Sequence, residues 1–452
     1  MELDLGKPER FSLAYFLLRH TWFRLLFHSW YKRVQVVGAH HVYEHKSTIL
    51  AINHQNTAMD ALVVLGALPK PVLWLARADM FKSNVARPVL QWLKIMPIFR
   101  QRDGLKALAN NEKVFEKCVD VLAQSTTLAL FPEATHWGFR RLRETKKAVP
   151  RIAFLAEEQH NFSLDVHIVP TGIYYENYFD PRSDLLIHFG KPIAVAQFKH
   201  EYEKNPQQAQ QDLKDLLDDA MKAQMIAIQH FDAEYDAYET LRYVCAGAAR
   251  ERLSLSGVSL QSQFAAHKKV IEVLDTAKEE QPEVFAEIIT QAQDYKRNLA
   301  QQNYTDEVVK KNGSAWSVAW RLIVLLLTMP IFMVGAVLHG YLYCAVTALA
   351  RKAAKDKQFR STVAFGALFL LMPIIYIVYA LLWLRVANMP LWSLVPFWVG
   401  IYLAAWWSFD YAACAKKTFK LILFNLRCAK NNISVCGLVK QRMKIIGLFG
   451  AM

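Results

Sequence analysis

Acidic residues are missing from two parts of this chain. None lies between Leu322 and Ala350, a stretch also free of Lys and Arg, and none lies in the tail Tyr411–Met452, which holds eight Lys or Arg. Metal-binding spacing is lacking as well. The six cysteines, at 118, 245, 344, 414, 428 and 436, form no C-x-x-C pair and no His/Cys cluster at zinc spacing. Neither a structural metal nor a disulfide framework is expected, and the thiols read as reduced and cytoplasm-facing. The start, Met1-Glu2-Leu3-Asp4, does not have the basic and then apolar pattern of a secretory signal. No basic motif interleaved with exposed aromatics occurs, so no nucleic-acid partner is expected. His339 is the one ionisable group deep in an apolar stretch. Transport pathways more often carry charge at depth, so these stretches read as an anchor.

What the chain does have is apolar mass and positive charge. It is 452 residues long, 53% hydrophobic, with a formal net charge of +14. That length exceeds one ordinary core, so at least two domains are expected. High apolar content with basicity points to a lipid bilayer or to anionic partners.

Residues 1–33 are aromatic and basic. Charges interrupt the apolar residues too often for a spanning helix, so an amphipathic helix in the headgroup region or a domain-entry helix is expected. Residues 34–200 alternate short apolar runs with helical periods. Strands are expected at 34–37, 48–52, 72–76, 127–131, 166–170 and 185–189, and helices at 58–68, 86–93, 105–123 and 146–158. The fold class is therefore α/β, a sheet covered by helices, with a site at strand ends. Residues 201–315 are polar and helical in period, for example Leu213-Leu216-Leu217-Met221, and read as a solvated helical subdomain.

Residues 316–410 form the membrane region. The stretches 322–350, 362–384 and 390–409 are each long enough to cross, since about 20 apolar residues span the hydrocarbon. The basic loop 351–360 and the basic tail 411–452 belong in the cytoplasm by the positive-inside rule. One crossing by 322–350 would then strand residues 1–320 outside. That stretch is long and interrupted by Pro330, Gly335 and Gly340, so a re-entrant hairpin is expected there. The catalytic region and the loop then share the cytoplasmic face of a multi-pass protein.

Chemistry concentrates in four ordered blocks. The first is Asn53-His54 with Asp60, where a strand ends and a helix begins. A neutral imidazole there can take a hydroxyl proton, and the carboxylate can fix its tautomer. The second is Met96-Pro97-Ile98-Phe99-Arg100-Gln101-Arg102-Asp103-Gly104. The third is Leu130-Phe131-Pro132-Glu133-Ala134-Thr135-His136, followed by a basic run from Arg140 to Lys147. The fourth is Ile168-Val169-Pro170-Thr171-Gly172. Together they supply a base, its orienting acid, arginines for an anion, and a strand-end turn with a carboxylate and a hydroxyl.

These blocks resemble the PlsC-type glycerolipid acyltransferases over about residues 12–195. The family's N-H-x4-D block corresponds to Asn53, His54 and Asp60, and its F-P-E-G-[ST] block to 131–135. Its arginine block falls at 97–102 and its V-P-x-G block at 169–172. Two departures stand out. Five residues, not four, separate His54 from Asp60, which is similar to a variant subgroup with C-terminal membrane segments. Ala134 replaces glycine, and is strained if that position needs a positive φ. The resemblance implies His54 and Asp60 as the catalytic pair, with Asn53, Arg100, Arg102, Glu133 and Thr135 binding substrate. Of the two arginines, Arg100 fits the variant better and Arg102 is the fallback. It further implies an acyl thioester donor, acyl-CoA or acyl carrier protein, and a glycerophosphate or lysolipid acceptor. No cofactor and no metal are expected.

Overall fold

The computed structural model describes residues 5–7, 9–100, 103–104, 108–257, 259–311 and 315–452. They divide into two compact units. Unit 1 comprises Met1–Ala227 with Asp356–Thr362, and unit 2 comprises Ile228–Lys355 with Val363–Met452.

Unit 1 is built on a mixed sheet. Its strands are β1 (Tyr31–Val37), β2 (Ser47–Ile52), β3 (Leu73–Arg77), β4 (Ile95–Ile98), β5 (Leu128–Leu130), β6 (Val166–Tyr175), β7 (Ser183–Phe189) and β8 (Ile193–Ala194). Their spatial order is β1-β7-β6-β2-β5-β3-β4, with β8 also on β6. β2 is parallel to both β5 and β6, and β6 turns antiparallel to β7 in its second half. Every residue of β2 and of β6 is buried. Strands covered on both faces read as continuous apolar runs, which is why these two were visible in the sequence. β4 and β8 were not among the expected strands, being four and two residues long.

The helices of unit 1 are α1 (Leu13–Leu18), α2 (Arg24–Trp30), α3 (Ala58–Ala67), α4 (Ala86–Trp92), α5 (Asn110–Ala123), α6 (Ala148–Gln159), α7 (Lys199–Lys204) and α8 (Pro206–Ala223). α1 and α2 join through a π-helical turn at Arg19–Phe23. This N-terminal segment is two-sided. Phe23, Leu26, Phe27 and Trp30 are buried, while Phe11, Leu13, Phe16 and Leu17 are exposed. The unit also ends later than residue 200. α8 buries Ala209, Leu213, Leu217 and Met221, a four-residue repeat that joins the sheet's core.

Unit 2 is helical: α9 (Asp232–Val244), α10 (Ala246–Arg252), α11 (Leu260–Glu280), α12 (Pro282–Gln301), α13 (Asp306–Lys310), α14 (Ala315–Ala353), α15 (Phe359–Arg385), α16 (Leu394–Ala429) and α17 (Ile433–Ala451). α15 begins within the segment assigned to unit 1. Three helices, at Trp316–Ala353, Phe359–Arg385 and Leu391–Ala429, are long and apolar enough to cross a membrane.

Two expectations need correction here. The hairpin over 322–350 is not formed, because α14 runs unbroken with Pro330 inside it. Proline deletes one backbone bond, and the remaining ladder carries the helix past it. The tail from 411 is not a separate basic segment either. α16 extends to Ala429, and α17 packs in the unit through Arg442–Asp306 at 2.8 Å and Lys444–Glu287 at 2.7 Å. Its cations find carboxylates on the polar helices, which gives the chain a reason to stay folded.

Candidate active site

Asn53 follows the last residue of β2 and continues its ladder by side chain. Asn53 Oδ1 accepts from Ile173 N at 2.7 Å, its Nδ2 donates to the Ile173 carbonyl at 3.3 Å, and its backbone N donates to the Thr171 carbonyl at 3.2 Å. The side chain is fully used and buried. Asn53 therefore fixes where β2 stops rather than offering a group to a ligand, and the substrate-binding role implied for it is not what this geometry supplies.

His54 comes next, held from three sides. Its backbone N donates to Glu133 Oε1 at 2.7 Å, and its carbonyl accepts from Trp137 N at 3.1 Å. Its ring stacks on Phe131, centroids 4.1 Å apart. Nδ1 lies 2.9 Å from Asp60 Oδ2. The side chain keeps 15% of its surface exposed against 1% for Asp60, and Nδ1 is the ring nitrogen taken by the carboxylate.

Asp60 sits in the first turn of α3. Oδ2 also accepts from Gln55 N at 2.9 Å and Asn56 N at 2.8 Å, and Oδ1 accepts from Tyr175 Oη at 2.8 Å. Four donors thus converge on the two oxygens of one buried side chain. The five-residue spacing makes this possible. The loop curls so that two of its own N–H groups, with the His54 ring, converge on one oxygen. Thr57 takes φ 50 and ψ −133 to close the curl. A β-branched residue in that region costs of order 1–3 kcal/mol and persists only where its surroundings hold it.

Glu133 is 1% exposed and spends both oxygens on backbone. Oε1 accepts from His54 N, and Oε2 accepts from Arg143 N at 2.9 Å. Burial pushes its carboxyl up to about 8, against the two backbone donors, which lower it. It ties the β2 and β5 turns together. Thr135 is exposed, with its backbone N on the Glu133 carbonyl at 2.7 Å.

Ala134 has φ 56, the left-handed region in which glycine is free. Ala134→Gly is therefore expected to stabilise unit 1 by roughly 0.5–1 kcal/mol. Urea unfolding of the two proteins side by side checks the sign.

Arg100 follows β4, on the same edge of the sheet. β4 stands three places from β2 in the sheet order, roughly 14 Å by strand spacing. Its guanidinium is 3.4 Å from Asp79 and 3.7 Å from Asp103. Arg102 lies outside the described residues. Within the basic run Arg140 is buried, donating to the Tyr175 carbonyl at 2.7 Å and stacking on Tyr178.

Sequence reasoning missed Tyr175 and Tyr178, and gave no role to His136, the last residue of the third block. Tyr178 Oη donates to Gln55 Oε1 at 2.6 Å. His136 meets His54 edge-on, centroids 5.6 Å apart. Its pKa is lowered, by burial first and by His54 second. Tyr175 had one usable signal: it stands at the end of the strand that carries the fourth block.

Residues 33–174 match the family described as Acyltransferase. The chain is 29% identical over 134 residues to glycerol-3-phosphate O-acyltransferase 1 of Saccharomyces cerevisiae, covering 29% of this chain and 17% of the yeast protein. Among solved structures it is similar to the 1-acyl-sn-glycerophosphate acyltransferase PlsC of Thermotoga maritima. That likeness has 17% identity and a TM-score of 0.32, over 46% of this chain and 76% of that one. The four blocks, in order, all fall within residues 33–174, the part of the chain that matches the Acyltransferase family.

Proposed function

We propose that this protein is a membrane-bound glycerolipid acyltransferase. It moves a fatty acyl group from a thioester, acyl-CoA or acyl carrier protein, to a hydroxyl of 1-acylglycerol-3-phosphate or glycerol-3-phosphate. The carrying observation is His54, partly exposed and pinned at Nδ1 by a four-donor carboxylate, at the end of β2. His54 Nε2 takes the acceptor's proton, and the alkoxide attacks the thioester carbonyl. The C–S bond then breaks, and the imidazolium returns the proton to the departing thiolate. Asp60 keeps the proton on Nδ1 and stabilises the charged ring. Arg100 and Thr135 bind the acceptor's phosphate. Glu133 and Asn53 act by holding the loop.

Exposed Phe11, Leu13, Phe16 and Leu17 on unit 1 suit contact with lipid headgroups. The basic loop 351–360 favours the cytoplasmic face for unit 1, since residues 356–362 fold as part of it. Among the described residues of 228–311 no helix qualifies to cross, so residue 300 belongs on the same face as residue 227. Labelling of a cysteine placed near residue 300 only from the outside would overturn this topology.

Arg100 is already paired with two carboxylates, which favours a second reading, a lysophospholipid-remodelling enzyme with a larger acceptor headgroup. The test is acyl transfer by membranes holding the protein. Radiolabelled glycerol-3-phosphate, 1-acylglycerol-3-phosphate and lysophosphatidylcholine are each offered with acyl-CoA and with acyl carrier protein. Transfer to a phosphate monoester that is lost in His54→Ala supports the first reading. Transfer to lysophosphatidylcholine alone selects the second. No transfer to any acceptor from either donor leaves a non-catalytic lipid-binding module.

A further inference from the structure

Ser361 and Thr362 belong to none of the four blocks and lie some three hundred residues from His54, yet both reach its loop. Ser361 Oγ donates to Asn56 Oδ1 at 2.9 Å, and Ser361 is buried. Thr362 Oγ1 lies 2.8 Å from Thr57 Oγ1, which also donates to the Gln358 carbonyl at 3.4 Å. Asp356 sets a carboxylate oxygen 3.7 Å from His136 Nε2, and Phe359 packs edge-on against the same ring. A Cβ on Gly138 would run into the Gln358 side chain, so the fit is close. All of these residues belong to unit 1.

The contacts fall on the two loop residues that matter most for the His–Asp geometry. The Asn56 backbone N donates to Asp60 Oδ2. Its side chain is fixed at one end by Ser361 and at the other by Nδ2 on the Tyr178 carbonyl at 2.9 Å. With both ends held, the Asn56 N–H stays aimed at the carboxylate. Thr57 carries the positive φ that closes the curl, and such a conformation needs outside support. Its hydroxyl is gripped by Thr362 and Gln358. Without those contacts the loop relaxes, the Asn56 N–H leaves Asp60, and the carboxylate loses its fixed aim at Nδ1.

We propose that Ser361 and Thr362 are positioning residues for the His54–Asp60 pair, so that the first turn of the second membrane-capable helix completes the catalytic centre. This rests on the reading of His54 as the base. The chemical role is indirect: neither hydroxyl touches a substrate, and both act through Asn56 and Thr57.

The experiment uses the full-length protein in phosphatidylcholine vesicles, with the donor and acceptor that the unaltered protein accepts. Thr362→Val keeps the shape and removes one hydroxyl, and Ser361→Ala does the same at its site. Each is expected to lower kcat about tenfold, as a small misplacement of a catalytic group does. KM for both substrates and the melting temperature should stay near their original values. Thr362→Ser should restore kcat. The double variant Asn56→Ala/Ser361→Ala should be no slower than Asn56→Ala alone, because both act through one bond. A kcat within twofold in folded Thr362→Val and Ser361→Ala, or a loss confined to KM, overturns the proposal. If Ser361→Ala does not fold, Thr362→Val against Thr362→Ser decides alone. Activity surviving in His54→Ala overturns the reading of the base instead, whatever these variants do.

Discussion

Asp60→Asn is expected to lower kcat by roughly 10²–10³ while leaving the fold intact. The reason lies in which atoms surround the carboxylate. Oδ2 takes three donors, from His54, Gln55 and Asn56, and Oδ1 takes one, from Tyr175. An asparagine answers this asymmetry by placing its carbonyl oxygen where the three donors converge. Its amide then faces Tyr175 Oη, a hydroxyl that can turn and accept. The Nδ1–H tautomer of His54 survives, so only the negative charge beside the ring is lost. That separates this site from triads in which the same change imposes the wrong tautomer and costs about 10⁴. Asp60→Ala strands buried N–H groups and unsettles the loop as well. His54→Ala removes the base itself, with an expected loss of roughly 10²–10⁴. Single-turnover rates on the three variants, with circular dichroism to check folding, test the series. Equal rates for Asp60→Asn and the unaltered protein would sink the pair as the catalytic device.

Glu133→Ala is expected to destabilise unit 1 by roughly 2–4 kcal/mol, because the backbone N–H groups of His54 and Arg143 both lose their acceptor. Activity should fall with it, since the His54 backbone N is one of them. The pH dependence of stability has a definite sign. The folded-state pKa is raised, to about 8 from an ordinary 4.5. Between those values the folded state holds a proton that the unfolded state has released. The contribution is therefore fully present below about 4.5 and is lost as pH rises through about 8. The slope in that window is on the order of 1.4 kcal/mol per pH unit. Glu133→Gln does not titrate and should flatten it. Urea midpoints from pH 5 to 8 for the two proteins measure this directly, and parallel curves would refute the buried carboxyl as the source.

Much of unit 1 was legible as sequence because its signals are local. Buried strands such as Ser47–Ile52 appear as apolar runs, α3 follows directly on the first block, and Asp60 lies in its first turn. The spacing of His54 and Asp60 identified a pair, and the substitution at Ala134 marked a position that does take a positive φ. Three things were decided only by tertiary structure. Asn53 and Glu133 look like ligand groups in a motif, but their polar atoms are consumed by neighbouring backbone. A residue's partners depend on which strand lies beside it, and spacing along the chain does not specify that. The edge of unit 1 moved to residue 227 because the apolar stripe of α8 had a sheet to cover, whereas periodicity alone fits a solvated helix equally well. The placement of Asp356–Thr362 on the His54 loop had no sequence signal at all. It rests on a few hydroxyl and carbonyl contacts between distant segments, and such contacts leave no period, run or motif for a linear reading to find.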